Sequence, residues 1–266
     1  MNWVVLIKGG GDLGSGVAYS LHRVGMRVLI TELAQPLVIR RAVSFASAIY
    51  TGTIQVEDTV GRQVEDLAGV QAAWKRDEIP VVADPVARIA EPLAPDVVID
   101  ATLAKRPTYT QIDEAPLVIG LGPGFIAGEH VHVAIETMRG HNLGRLIFDG
   151  SPLPDTGIPG DTMGVTWRRV LRAPKTGLFH QTRDIGDHVE QGETVAYLEE
   201  TPIRAQISGV IRGLLWDGLT VKRGTKVGDI DPRDVHANCF TISDKARALG
   251  RAALEAILLC ERESTG

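Results

Sequence analysis

Gly9, Gly11 and Gly14 carry the G-x-G-x-x-G spacing in the stretch VLIKGGGDLGSGVAYSL. That spacing suits phosphate chemistry. The first glycine permits a tight turn, the second lets a pyrophosphate approach the backbone, and the third lets a helix pack on a strand. Free amides at the helix N-terminus then favour an anion. Glu32 follows about 20 residues on, where an acid typically binds a ribose hydroxyl. Asp12 lies inside the loop and repels phosphate unless it faces away. A glycine turn that holds no ligand is the competing reading.

A second glycine run, VIGLGPGFIAGEH, places Gly122 and Gly124 after another apolar stretch. Ligands of open parallel sheets sit at the carboxyl ends of strands, so the two loops are expected to line one crevice. A plain turn forced by Pro123 is the alternative. Arg40, Lys105 and Arg106 stand beside that crevice as phosphate or carboxylate contacts, against the commoner fate of solvated charge. His130, His132, Glu136, Arg139 and His141 form the densest polar set, too incomplete for a metal site, which needs three or four converging ligands. Catalytic residues are not fixed, and His130, His132 and Cys239 are the candidates. Cys239 precedes a helix cap, where thiolates gain acidity; a small buried cysteine is the alternative.

These residues need elements to hold them. Val4–Ile7 is an apolar run of the kind buried on both faces of a parallel sheet. Leu13, Val17, Leu21 and Val24 follow at helical spacing. Further strands are expected at Arg27–Thr31, Pro80–Ala83, Val97–Asp100, Leu117–Gly120 and Val131–Ala134, with helices starting at Pro36 and around Val70–Lys75 and Val86–Leu93. Such alternation predicts a Rossmann-like parallel sheet with right-handed crossovers.

The proline- and glycine-rich stretch GSPLPDTGIPGDTMG marks a boundary. Beyond it Gly186, Val189, Gly192, Val195 and Leu198 recur in frame as Gly218, Val221, Gly224, Val227 and Ile230. The repeat suggests two intertwined β-halves related by a pseudo-twofold. Its frame resembles the barrel-sandwich fold of biotinyl and lipoyl carrier domains. The hairpin that bears the modified lysine there reads Leu198-Glu199-Glu200-Thr201-Pro202 here, so neither biotin nor lipoate is expected. Ser243 can cap a last helix with Ala246, Leu249, Ala253, Ile257 and Leu258 on its apolar side. The expected organisation is a dinucleotide-binding domain over 1–160, a barrel-sandwich domain over 161–242, and a helix over 243–266 that packs back on the first domain.

At 266 residues the chain can bury a sizeable core, and its net charge of −5 argues against nucleic acid and membrane surfaces. No apolar run approaches the ~18 residues of a membrane helix. The N-terminus lacks the order of a signal peptide, so the expectation is cytoplasmic. Two cysteines make no disulfide framework.

The runs KGGGDLGSGVAYSLHRVGMRVLITELAQPLVIRRAVSF, DATLAKR, PLVIGLGPGFIAGEHVHVAIETMRGHNLGR, GDIDPR and ISDKARALG resemble the YqeB family, named for the selenium-dependent molybdenum hydroxylase system. The N-terminal part is also distantly similar to the Rossmann domain of XdhC/CoxI accessory proteins. The resemblance implies a maturation role for a molybdenum hydroxylase, which would be the client partner. A molybdenum-pterin dinucleotide, or NAD, would lie on Gly9, Gly11 and Gly14, with Glu32 on a ribose. Arg40, Lys105 and Arg106 would neutralise charge, and the Gly122–Gly124 loop would close the site. An NAD-dependent oxidoreductase and a non-catalytic adaptor are the alternatives. Whether the chain is an enzyme, and whether it forms a homo-oligomer, stay open.

Overall fold

A computed structural model describes residues 3–264. The chain forms two compact units. One comprises the chain up to Pro36, Ser44–Thr156 and the chain from Ile242 onward; the other comprises Leu37–Val43 and Gly157–Thr241. Leu37–Val43 thus leaves the first unit for the second, where the sequence suggested the start of a helix inside one N-terminal domain. The structure has only a 3-10 turn there, Arg41–Val43.

The first unit is built on nine strands: β1 (Val4–Lys8), β2 (Arg27–Glu32), β3 (Thr53–Val56), β4 (Thr59–Val64), β5 (Ile79–Ala83), β6 (Val97–Asp100), β7 (Leu117–Leu121), β8 (Val133–Ile135) and β9 (Leu146–Ile147). Their order in the sheet is β3-β4-β5-β2-β1-β6-β7-β8-β9. Strands β4 to β8 of this row run parallel. β6 and β7 are buried at every position, which is why they read as unbroken apolar runs. Leu6, Leu29, Val98, Val118 and Phe125 share one core on this sheet.

The Rossmann-like parallel sheet is nevertheless not what forms. The sheet is mixed: β3 and β4 make an antiparallel hairpin at one edge, and β9 returns antiparallel to β8 at the other. Among the described residues, no helix covers the β6–β7 or β7–β8 connection. The helix expected over Val86–Leu93 shrinks to Ala90–Leu93, since Ala87 adopts φ +55°, outside the right-handed helical region. The hairpin escaped the sequence reading because its turn is Glu57-Asp58, with Glu57 at φ +55°, and not a glycine-bearing signal.

Helix α1 (Asp12–His22) follows β1, and the C-terminal helix (Asp244–Ser264) lies along it. Gly16 and Gly250 allow that approach. A Cβ on Gly16 would meet the Ala246 Cβ at 2.6 Å, and one on Gly250 would meet the Ser20 Oγ at 2.2 Å. Leu249, Ala253 and Ile257 are buried, and the Ser243 hydroxyl accepts from the Ala246 amide at 3.2 Å as a cap.

The second unit carries β10 (Val170–Arg172), β11 (Gly177–Gln181), β12 (His188–Val189), β13 (Thr194–Leu198), β14 (Thr201–Arg204), β15 (Gly209–Leu214), β16 (Thr220–Val221) and β17 (Lys226–Asp231). They form two four-stranded sheets, β10-β17-β15-β12 and β14-β13-β11-β16. The repeat is expressed as strand exchange: β12 of the first copy pairs in the sheet of β17, and β16 of the second in the sheet of β13.

The biotinyl/lipoyl-like barrel-sandwich is corrected to these two separate antiparallel sheets. Register shifts interrupt the β10–β17, β13–β14 and β15–β17 ladders. The segment Leu37–Val43, foreign to a carrier domain, is also built in: the Leu214 amide donates to the Ile39 carbonyl at 2.7 Å. At the hairpin, Glu199 holds φ +51°, and its carboxylate accepts from the Leu178 amide at 2.9 Å.

Candidate functional site at the carboxyl end of the central strands

β1 has β2 on one side and β6 on the other, and the chain reverses its direction of growth between them. Such a switch point is where open parallel sheets bind ligands. Lys8 and Asp100, the last residues of β1 and β6, are register partners there. Both are almost wholly buried, at 2% and 0% exposure. Charged groups inside a low-dielectric region need partners, and the loop after β6 supplies them.

Asp100 Oδ1 accepts from the Thr102 amide at 3.0 Å and the Thr102 hydroxyl at 2.6 Å. Its Oδ2 accepts from the hydroxyls of Thr108 at 3.1 Å and Thr110 at 2.7 Å. Lys8 Nζ donates to Thr110 Oγ1 at 2.9 Å and to Glu114 Oε2 at 2.5 Å, and lies 4.5 Å from the centre of the Tyr109 ring. The loop 101–116 has no helix or strand of its own, and these bonds fix its course. Partial burial, together with the nearby charges of Asp100, Glu114, Asp84 and Glu32, pushes the Tyr109 phenol up to about 12. It therefore stays protonated and donates to the Pro85 carbonyl at 2.9 Å.

The glycines expected to hold a pyrophosphate are explained by packing within the chain. Gly9 sits at φ +92°. A Cβ on Gly14 would lie 2.1 Å from the Gly9 carbonyl oxygen, and one on Gly10 would lie 2.9 Å from the Ile30 side chain and 3.0 Å from the Ala46 nitrogen. Phe45 and Ala46 close over the turn: the Ala46 amide donates to the Gly10 carbonyl at 2.9 Å, and the Phe45 amide donates to Ser15 Oγ at 2.7 Å. Gly11 is the N-cap of α1, and Asp12 opens its first turn.

Glu32 is turned inward. Its carboxylate accepts from the Gly10 and Leu33 amides, both at 2.8 Å, instead of reaching outward to a sugar. Burial raises its pKa, against the opposing pull of those two amides, Leu33 and Gly10.

The second glycine turn also serves packing. Gly122 holds φ +97°, and a Cβ on Gly124 would lie 2.5 Å from the Ala104 carbonyl oxygen and 2.8 Å from that of Arg106. The turn thus seats the loop that carries Lys105 and Arg106. Both side chains are exposed, and Lys105 pairs with Asp155 at 2.5 Å. Arg40 belongs to the second unit, where it is buried and donates to the carbonyls of Asn238 at 2.9 Å and Thr241 at 3.1 Å.

The three catalytic candidates are tied to backbone or core. His130 Nδ1 accepts from the Ile126 amide at 3.2 Å, and His132 Nδ1 accepts from the Val118 amide at 3.0 Å. Burial lowers the His132 pKa, which favours the neutral acceptor form. Cys239 lies within a helical turn, Ala237–Phe240, at 1% exposure, and burial raises its pKa where a helix N-terminus would have lowered it. Among the described residues, no group of three or more His, Cys, Asp or Glu side chains is placed to hold a metal ion. No helix among them is long and apolar enough to cross a membrane.

The sequence reading brought Lys105, Arg106, Gly122 and Gly124 to this edge but missed Lys8, Asp100, Thr110 and Glu114. The available signal was a charged residue closing each apolar strand, VVLIK and VVID.

No family model matches the chain. It is 44% identical over 256 residues to a protein of Escherichia coli (strain K12) described as uncharacterized protein YqeB, a match covering 96% of this chain and 47% of that protein. This likeness supports the YqeB family along the matched stretch, and the chain spans about half the length of that curated relative. It carries nothing on selenium, molybdenum hydroxylases or XdhC.

Among solved structures, the chain is similar to an aspartoacylase family protein from Mesorhizobium loti at 14% identity, covering 86% of this chain and 85% of that one with a TM-score of 0.25. A succinylglutamate desuccinylase/aspartoacylase from Rhodobacter sphaeroides matches at 15% identity over 86% and 85%, with a TM-score of 0.26. The ectoine utilization protein EutE (DoeB) from Ruegeria pomeroyi matches at 12% identity over 86% of each chain, with a TM-score of 0.25. Likenesses this distant carry no argument about activity. With the Glu32 carboxylate accepting from the Gly10 amide and not facing outward, the maturation reading on a Rossmann domain is set aside.

Proposed function

We propose that the first unit binds a small anionic molecule at the carboxyl edge of β1 and β6, against the loop 101–116. One observation carries this reading: Lys8 and Asp100, buried side by side at the switch point, hold a long irregular loop in one course. Loops of that length inside a compact unit are commonly functional. This loop exposes the basic pair Lys105 and Arg106, and the ring of Tyr109, which is 46% exposed, lies three residues further on. Guanidinium and ammonium groups on a fixed backbone suit a carboxylate or phosphate.

Calorimetric titration with inorganic pyrophosphate tests the reading, with NAD and molybdenum-pterin dinucleotide titrated alongside as larger bearers of the same group. Binding by the wild-type chain that weakens roughly tenfold or more in Lys105→Ala/Arg106→Ala is expected, since hydrogen bonds to charged groups contribute about 1.5–3 kcal/mol each. Absence of binding, or binding indifferent to the double substitution, would overturn it.

A further inference from the structure

A cavity of about 350 Å³ opens at β9, the strand that ends the sheet of the first unit. That volume falls toward the lower end of the range for small-molecule sites. Its lining divides by chemistry. Leu146, Phe148 and Leu153 are apolar, and Phe148 and Leu153 leave 58% and 50% of their surface uncovered. Arg145, Asp149 and Glu136 are charged, one cation and two anions.

Glu136 and Arg145 oppose each other where β8 pairs with β9, and the Glu136 amide donates to the Arg145 carbonyl at 3.0 Å. Side chains so placed share one face of the sheet, with Cβ atoms about 5 Å apart. Opposite charges at that spacing can pair, yet these do not. The Glu136 carboxylate is turned into the wall, 3% exposed, and accepts from the Met138 amide at 2.6 Å and the Leu153 amide at 2.8 Å. Lys245 acts on it electrostatically without an ion pair. Arg145 and Asp149 are exposed, and among the described residues neither side chain makes a hydrogen bond or ion pair. Each Glu136 oxygen keeps a second acceptor position, because a carboxylate offers about four. A buried carboxylate and an unpaired guanidinium on one wall are therefore both open to an outside partner.

We propose that this cavity binds a small apolar α-amino acid as its zwitterion. The ammonium donates to Glu136, with Asp149 adding negative charge on the exposed side, and the carboxylate accepts from Arg145. The ligand side chain covers Leu146, Phe148 and Leu153. A lone anion would meet two carboxylates and a lone cation would meet the guanidinium, so a ligand that carries both charges close together matches the wall. None of these residues belongs to the edge at Lys105 and Arg106, and the inference does not rest on anion binding there.

Calorimetric titration of the folded full chain with L-leucine tests it, alongside L-leucinamide, which lacks the carboxylate, and isocaproate, which lacks the ammonium. Leucine is expected to bind, and each of the other two to bind roughly tenfold or more weakly, as the loss of one charged contact requires. Arg145→Gln should bring leucine down to the level of leucinamide and leave leucinamide unchanged. Asp149→Asn should weaken leucine and leucinamide but not isocaproate, and Phe148→Ala should weaken all three. Lys105→Ala/Arg106→Ala should leave leucine binding as it is, which separates this cavity from the pyrophosphate site. The substituted side chains are all exposed, and thermal melts confirm that each variant is folded. Absence of leucine binding, either analogue binding as tightly as leucine, or leucine binding unmoved by Arg145→Gln would overturn the proposal.

Discussion

Lys8 and Asp100 end adjacent parallel strands in direct register, and neither is more than 2% exposed. Asp100 gathers its donors from Thr102, Thr108 and Thr110, while Lys8 reaches Thr110 and Glu114. Thr110 therefore bridges the two charges through one hydroxyl, and the loop is held from both strand ends.

Asp100→Asn should loosen that loop. One amide oxygen cannot replace two carboxylate oxygens, and Lys8 loses a neighbouring anion. A stability loss of about 2–4 kcal/mol in urea unfolding is expected from breaking a buried charged network. Limited proteolysis should open new cleavage within 101–116. An unchanged midpoint and cleavage pattern would show that the loop is held by other means.

Lys8→Met removes the cation and leaves Glu114, 23% exposed, without its partner. The single variant should cost more than Lys8→Met/Glu114→Gln, because the second change removes the stranded charge. Urea unfolding of the two single and one double variant reads that difference as a coupling energy.

Gly14→Ala and Gly25→Ala separate close packing from backbone conformation. The Gly14 Cβ would lie 2.1 Å from backbone oxygen, whereas Gly25 has φ +85° and open space around its Cβ. Losses of about 3 kcal/mol or more for Gly14→Ala and about 1 kcal/mol for Gly25→Ala are expected in urea unfolding.

Glu78 supplies the acid-side pH dependence. Arg62 grips its carboxylate through Nε at 2.6 Å and Nη2 at 2.7 Å, Arg76 adds Nε at 2.8 Å, and the pKa falls to about 2. With the folded value below the unfolded one of 4.5, the stabilisation is complete above pH 4.5 and is lost as pH falls toward 2. Glu78→Gln should therefore be less stable than wild type at pH 7, by about 1–2 kcal/mol for half-exposed arginine partners. The two unfolding curves should converge near pH 2.

A thiol count probes Cys239. Its burial and raised pKa predict no reaction with an aromatic disulfide reagent at pH 8 in the native state, while the less buried Cys260 reacts. Denaturant should expose the second thiol. Two fast native thiols would contradict the buried placement.

Much of the first unit was legible because the apolar runs are local: Val97–Asp100 is a strand as read, and Arg27–Glu32 differs by one residue. The last helix was legible from its cap and apolar stripe. The Lys8–Asp100 pair was not, since it depends on which strand lies beside β1, and the two residues are far apart in the chain. The glycine pattern has a packing reason that was hidden for a related cause. Gly10 and Gly14 answer to Ala46 and to the Gly9 carbonyl, contacts that only the folded chain shows. Segment Leu37–Val43 departs because its partner, Leu214, lies in the other half of the sequence.

The seat that Gly16 and Ser20 offer to Ala246 and Gly250 bears on synthesis at the ribosome. Helix α1 emerges from the exit tunnel well before the helix that covers it. Until then its small-residue face stays open to chaperones or to the same face of another nascent chain. Premature termination anywhere before Ile242 would release a product with that face uncovered, so translation through that helix is itself a folding step for the first unit.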